Sequence, residues 1–184
     1  MHYCIHVFTH GCPSEKQLNN IMAQYNGNEY YNDETDTVVP PTFMWDRWEL
    51  GGRYGGLLKL DVNARKDFYE WGYLPRNGPR NNRIFKVAIL DKGTDAWDES
   101  GVFNYIGYPD GYIRVDGAYV CDILNRNDLG CWGFIDDCGT AFVREYWNGE
   151  DFEKHENFDD QYTTMVEKAA ADPNMFLTVV DIHD

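Results

Sequence analysis

Histidine and cysteine side chains recur at every second position near the start of the chain. The even positions of residues 2–10 include His2, Cys4, His6 and His10. If this segment is a β-strand, these side chains share one face of it. Imidazole and thiolate are the ligands that zinc prefers, so the face is a candidate metal site. The simpler alternative is a strand whose histidines face water.

More candidate ligands lie at the other end of the chain, at Asp181, His183 and Asp184. If the first and last predicted strands are neighbours in a sheet, His183 converges with His2, Cys4 and His6. Zinc is the cofactor that such a set would hold. If these residues do not bind zinc, we expect the protein to have no cofactor.

The segment MWDRWELGGRYGG, residues 44–56, is dense in aromatic, charged and glycine residues. The guanidinium group of Arg53 suits phosphate or carboxylate, glycine permits close backbone approach to a ligand, and an aromatic ring can stack on a base. The candidate ligand-binding residues are Trp45, Asp46, Trp48, Gly51, Gly52, Arg53 and Tyr54. The alternative is a tight corner in which the tryptophans fill the core and Arg53 pairs with Asp46.

Common catalytic signatures are absent from the sequence. GGRYGG lacks the Lys-Ser/Thr pair of a P-loop and the glycine spacing of a dinucleotide-binding loop. No G-x-S-x-G, H-E-x-x-H or CxxC motif is present. We therefore assign no catalytic residue and expect a binding protein rather than an enzyme.

The elements around these candidates predict a single α+β domain over residues 1–184. Alternation over residues 2–8 predicts a strand, Ser14 and Gln17 predict a capping box, and the helix that follows is expected to stop at Asn26-Gly27. The apolar run 175–182 predicts a strand covered on both faces. A second helix, with Asn157 as its cap, has an apolar face formed by Phe158, Tyr162, Met165, Val166 and Ala169.

The middle of the chain is predicted to be mostly β-strand and turn, which makes the sheet mostly antiparallel. We expect both helices to pack on one face of that sheet. The predicted segments are an exposed loop at 28–42, strands at 57–62 and 84–90, a short helix at 64–71, a basic loop at 75–83, and hairpin turns at 109–111 and 136–139.

Charge is unevenly distributed along the chain. The formal net charge is −15, and residues 87–184 hold twenty-one acids against six bases. Such a surface repels nucleic acid but suits a partner with a basic groove. The alternative is that the acids serve solubility alone. The residues that we expect at a partner contact are Trp132, Tyr146, Trp147, Glu150, Asp151 and Glu153.

Targeting signals are also absent from the sequence. No apolar run is long enough for a membrane helix, and the first residues lack the pattern of a secretory signal. We expect a cytoplasmic protein with reduced cysteines that contacts neither membrane nor nucleic acid directly.

Three short motifs resemble a family of small, uncharacterised phage and prophage proteins. They are W-D-x-W-x-x-G-G-R-Y at residues 45–54, C-W-G-F at 131–134 and T-V-V-D-x-H at 178–183. The chain departs from the family pattern at Arg47, at Tyr54, where the family has Trp, and at Ile182, where it has Cys. The last departure removes a thiolate beside His183. The resemblance implies a mobile-element setting and no established activity.

Two functions remain open at this stage. The first is an acidic phage-type binding protein that inhibits a host defence or nucleic-acid-handling complex, as an anti-CRISPR or other anti-defence protein does, by occupying a basic groove on a host protein. The second is a nucleotide-type ligand site or enzyme at the Trp45–Gly56 corner, with or without a metal.

Overall fold

The computed structural model describes residues 1–25, 30–32, 37–39, 47–60, 74–75, 102–103, 113–147 and 150–183. Within them, the helices are α1 Glu15–Ala23 and α2 Phe158–Ala171. The strands are β1 His2–His10, β2 Tyr30–Asn32, β3 Thr37–Val39, β4 Arg47–Leu50, β5 Leu58–Leu60, β6 Leu74–Pro75, β7 Val102–Phe103, β8 Ile113–Val115, β9 Gly117–Tyr119, β10 Gly133–Ile135, β11 Ala141–Val143, β12 Glu145–Trp147, β13 Phe152–Lys154 and β14 Met175–His183.

The strand β14 is the centre of the main sheet. Its nine residues pair antiparallel with β1 over their whole length, from His2 opposite His183 to His10 opposite Met175. The opposite edge of β14 is shared by β4 and β9, while β10 pairs parallel with β1 and antiparallel with β11. Eight of the nine β14 residues are buried, as its apolar sequence predicts. The fold is therefore the predicted α+β domain, with a mixed sheet in which one described pairing is parallel.

The two helices pack on opposite faces of this sheet, and the prediction that they share one face is wrong. Odd positions of β1, such as Ile5 and Val7, lie in one core cluster with Leu18 and Met22 of α1. Even positions, such as Phe8, lie in another cluster with the buried face of α2. A sheet whose central strands are apolar on both faces needs an element on each side, because neither face can remain in water.

Local signals in the sequence are confirmed where the structure describes them. Ser14 and Gln17 form both halves of a capping box at the start of α1. Asn157 is the N-cap residue of α2, although its side chain makes no capping hydrogen bond. The turn between β10 and β11 contains Gly139 at a φ of 85°, a conformation that glycine adopts without strain.

Other predictions for the middle of the chain have mixed outcomes. The predicted loop at 28–42 contains an antiparallel pair, β2 with β3, so the loop interpretation is wrong there. The predicted strand at 57–62 is confirmed by β5. The helix at 64–71, the strand at 84–90, the turn at 109–111 and nearly all of the basic loop lie outside the described residues. No described helix has the length and apolar character that crossing a membrane requires.

The packing of α1 on its own face of the sheet is testable by truncating one side chain. Met22→Ala should lower the free energy of unfolding by about 2–5 kcal/mol, because Met22 is fully buried and its removal leaves a cavity. Asn19→Ala, on the exposed side of the same helix, should change it by less than about 0.5 kcal/mol. Urea unfolding measures both. Equal effects of the two substitutions would contradict the packing described here.

Candidate functional site

The glycine-rich corner lies where two strands share one edge of β14. β4 and β9 pair with this edge on either side of Val179. The Gly51 N–H donates to the Val179 carbonyl at 2.9 Å, and the Val179 N–H donates to the Asp116 carbonyl at 2.7 Å. The chain leaves the sheet at Gly51 and turns through a short 3₁₀ helix, Gly52–Tyr54.

The buried carboxylate of Asp116 lies against this turn. Asp116 follows β8 and precedes β9, and its Oδ1 accepts a hydrogen bond from the Gly56 N–H at 2.7 Å. A Cβ atom at Gly51 would lie 2.5 Å from the Asp116 Cγ, and Gly51 has a φ of 65°. Glycine is required at position 51 both for its backbone conformation and for the close approach of this carboxylate.

A second buried carboxylate, that of Asp181, fills the other side of the turn. Its Oδ2 accepts from the Arg53 N–H at 2.8 Å, and its Oδ1 lies 2.9 Å from Nδ1 of His2. A carboxylate only accepts hydrogen bonds, so His2 carries a hydrogen on Nδ1. A Cβ at Gly52, where φ is 51°, would overlap the Asp181 side chain.

The candidate ligand-binding residues do not all line one site, because they differ in burial and in what they contact. Trp45 and Asp46 lie outside the described residues. Trp48 is half-buried against the core on the α1 side, and the Tyr54 hydroxyl donates to the His2 carbonyl at 3.1 Å. The Arg53 side chain is exposed, and its expected partner Asp46 lies outside the described residues, so their pairing stays a prediction. The groups held at this corner are the carboxylates of Asp116 and Asp181.

The candidate metal ligands share one face of the sheet but do not all converge. His2 and His183 face each other across β1 and β14, with ring centroids 4.8 Å apart. Burial and the nearby Asp181 raise the pKa of Cys4 to about 12, so its thiol stays protonated at neutral pH. Among the described residues, three ligand atoms come within 4.8 Å of one another at Asp136, Asp137 and Cys138, a partly exposed turn, and not at His2, Cys4, His6 and His183.

His6 belongs to the core under α2. It is fully buried, and its Nδ1 lies 2.6 Å from the Tyr162 hydroxyl. Its Nε2 has no hydrogen-bond partner. Burial lowers the pKa of His6 to about 3, so the imidazole is neutral in the folded protein at neutral pH. This geometry makes His6 a core residue.

A separate surface is formed by the ribbon of β12 and β13. Within the part of the chain that the structure describes, these two strands pair only with each other. Phe152 is 61% exposed and Tyr146 is 39% exposed. Glu150, Asp151 and Glu153 are also exposed, and the Tyr146 hydroxyl donates to Oε2 of Glu153 at 2.7 Å. The ribbon presents aromatic rings among carboxylates.

The ribbon is anchored to the fold at its base. Arg144 precedes β12, and its guanidinium pairs with Asp159 at 2.7 Å and lies 4.8 Å from the centre of the Phe158 ring. The Arg144 carbonyl accepts from the His155 N–H at 2.8 Å, next to the end of β13. These contacts fix where the ribbon leaves the domain.

Comparisons of the chain with protein-family models, with curated proteins and with solved structures give no significant match. The site is therefore interpreted from its own geometry.

The predicted partner-contact residues divide between the ribbon and the core. Tyr146, Glu150, Asp151 and Glu153 lie on or beside the ribbon. Trp147 lies in β12 opposite Phe152, and its side chain is outside the described residues. Trp132 is half-buried, with its ring 4.5 Å from that of Tyr3, so the structure does not place it with the others.

Sequence reasoning missed Asp116 and Phe152. Asp116 has no local signal beyond the Asp-Gly pair, since its partners are about sixty residues away in the chain. Phe152 had a usable signal, because a large aromatic within the acidic segment EDFEK is unusual for a solvated loop.

The role of the glycines at the corner is tested by Gly52→Ala. The added Cβ meets Asp181 and also strains the backbone, so the free energy of unfolding should fall by roughly 2–5 kcal/mol. Gly139→Ala is the matched control, since Gly139 also has a positive φ but open space around it. It should cost only about 1–2 kcal/mol. Similar losses for the two variants would show that the carboxylate contact is unimportant.

Burial of neutral His6 predicts a stability that depends on pH. The unfolded chain protonates this histidine below about pH 6.5, whereas the folded protein resists protonation until about pH 3. Its contribution to stability is therefore complete above pH 6.5 and is lost as the pH falls between these values. The free energy of unfolding of the native protein relative to His6→Gln should fall by about 1.4 kcal/mol per pH unit from pH 6 to pH 4. Parallel curves for the two proteins, measured by urea unfolding, would contradict the neutral buried state.

Proposed function

We propose that this chain is an acidic, non-catalytic binding protein that uses the β12–β13 ribbon to occupy a basic, nucleic-acid-binding groove on a partner protein. The observation that carries the proposal is the exposure of Phe152 and Tyr146 among the carboxylates of a ribbon whose two strands pair with no other described strand. Aromatic side chains are enriched at the centre of protein contacts and polar groups form the rim, so an exposed aromatic ring bordered by carboxylates suits a contact with a basic partner.

Charge around the ribbon supports this choice of partner. Residues 145–160 contain seven acids and one base, and the whole chain has a net charge of −15. A surface of this kind attracts a basic groove and competes with the nucleic acid that the groove would otherwise bind. The phage resemblance supports a host defence or nucleic-acid-handling complex, such as a CRISPR complex, as the target. The setting would then be the cytoplasm of the host cell.

The small-ligand alternative at the corner has weaker support. The Gly56 and Arg53 N–H groups, which could have bound a phosphate, already donate to the chain's own carboxylates. What remains for a ligand in the described part of the corner is the exposed Arg53 side chain. We therefore favour the ribbon.

The first test is capture from a nuclease-treated bacterial lysate at low salt, with mass spectrometry of the bound proteins. We expect a nucleic-acid-binding protein that elutes as salt is raised and is displaced by added duplex DNA. The variant Glu150→Lys, Asp151→Lys and Glu153→Lys should lose this capture.

A matched control variant has the same change in net charge, but at exposed acids outside the ribbon. Its substitutions are Glu49→Lys, Asp128→Lys and Glu167→Lys. It should still capture the partner. Phe152→Ala should weaken binding by more than about 1 kcal/mol, roughly fivefold or more, if the ring is an anchor. Equal capture by the ribbon and control variants, or recovery of no nucleic-acid-binding protein, would overturn the proposal.

A further inference from the structure

We propose that His2 and His183 form a two-histidine binding site for a transition-metal dication such as Zn²⁺. The two residues are directly opposite each other on the neighbouring antiparallel strands β1 and β14. Their ring centroids are 4.8 Å apart, and the ring planes meet at 77°. Two imidazoles facing each other across a rigid strand pair can bind one ion together, with water in the remaining positions.

The hydrogen bond to Asp181 sets the orientation of the first ligand. The carboxylate accepts from Nδ1 of His2 at 2.9 Å, which leaves the Nε2 atom on the side of the ring away from the carboxylate. Histidines that bind metals commonly donate their second ring N–H to a carboxylate in this way, and the contact fixes the orientation of the ring. Asp181 is itself fixed by the Arg53 N–H at 2.8 Å. Asp181 thus fixes the ring orientation of His2 before any metal binds.

His183 supplies the second ligand. It is half-buried at the end of β14 and lies directly opposite His2. The His2 side chain is 20% exposed, so the pair lies at the surface, within reach of ions in solution.

The neighbouring side chains on this face act as support and not as further ligands. The Asp181 carboxylate is already bonded by His2 and by the Arg53 N–H. Cys4 is buried in the core cluster on the α2 side of the sheet, and His6 is bonded to Tyr162 in the same core. The proposed site therefore has two protein ligands, and it binds a nitrogen-preferring ion such as Zn²⁺ in preference to Mg²⁺ or Ca²⁺.

The experiment is titration of the tag-free full chain with Zn²⁺, followed by calorimetry and by thermal unfolding. We expect one bound ion per chain and a rise in melting temperature with Zn²⁺, because an ion that binds the folded state stabilises it. Mg²⁺ at the same concentration should produce neither effect.

Asparagine substitutions separate metal binding from folding. His2→Asn retains an N–H that can donate to Asp181 but removes the ligand nitrogen, and His183→Asn is its counterpart. Each should weaken Zn²⁺ binding by about tenfold or more, and the double variant should abolish both the binding and the thermal shift. Melting temperatures without metal check that the variants remain folded.

Two controls exclude other sites. His10→Asn alters an exposed histidine at the far end of β1 and should leave Zn²⁺ binding unchanged. Cys138→Ser removes a ligand from the Asp136–Cys138 turn and should also have no effect. No binding by the native chain, or Zn²⁺ binding that survives in the His2 and His183 double variant, would overturn the proposal.

Discussion

Two buried carboxylates hold the point at which β4 and β9 share one edge of β14. Asp116 accepts a hydrogen bond from the Gly56 N–H, and Asp181 accepts one from the Arg53 N–H. These bonds attach the turn after β4 to β14 and to the residue between β8 and β9. Hydrogen bonds to charged acceptors are roughly twice as strong as neutral ones, and leaving these groups buried without them would cost several kcal/mol. The glycines are needed because these carboxylates lie where a Cβ atom would otherwise be.

This constraint explains which parts of the fold the sequence could predict. Capping at Ser14, the apolar face of α2 and the apolar run of β14 depend on neighbours within a few residues, so they were visible in the sequence. The carboxylate contacts at the corner join residues about 60 and 128 positions apart, and no local pattern encodes them. Glycine spacing suggested close backbone approach to a ligand, and the groups that approach Gly51 and Gly52 in the structure are the chain's own Asp116 and Asp181.

Two predictions about position differ from the structure: the placing of both helices on one face of the sheet, and the convergence of His183 with His2, Cys4 and His6. A strand covered on both faces was predicted at 175–182, and this prediction already required an element on each side of the sheet, so placing both helices on one face was inconsistent with it. For the metal ligands, alternation placed His2, Cys4 and His6 on one face, as the structure shows. Alternate positions along a strand are nearly 7 Å apart, however, so ligands converge across strands and not along one. The pair that approaches closely is His2 with His183, on different strands.

Two groups of acids among the described residues have different physical roles. Asp116 and Asp181 are buried, and their charge is used by backbone N–H groups and by His2. The ribbon acids, such as Glu150 and Asp151, remain in water, where like charges repel one another and gain little from isolated pairs. Exposed carboxylates of this kind contribute little to stability, and the proposed basic partner would supply the opposite charge that they lack. The proposed roles of the ribbon and of the His2–His183 pair are independent of each other. The role of the ribbon depends on surface charge, and that of the pair depends on the geometry of two paired strands.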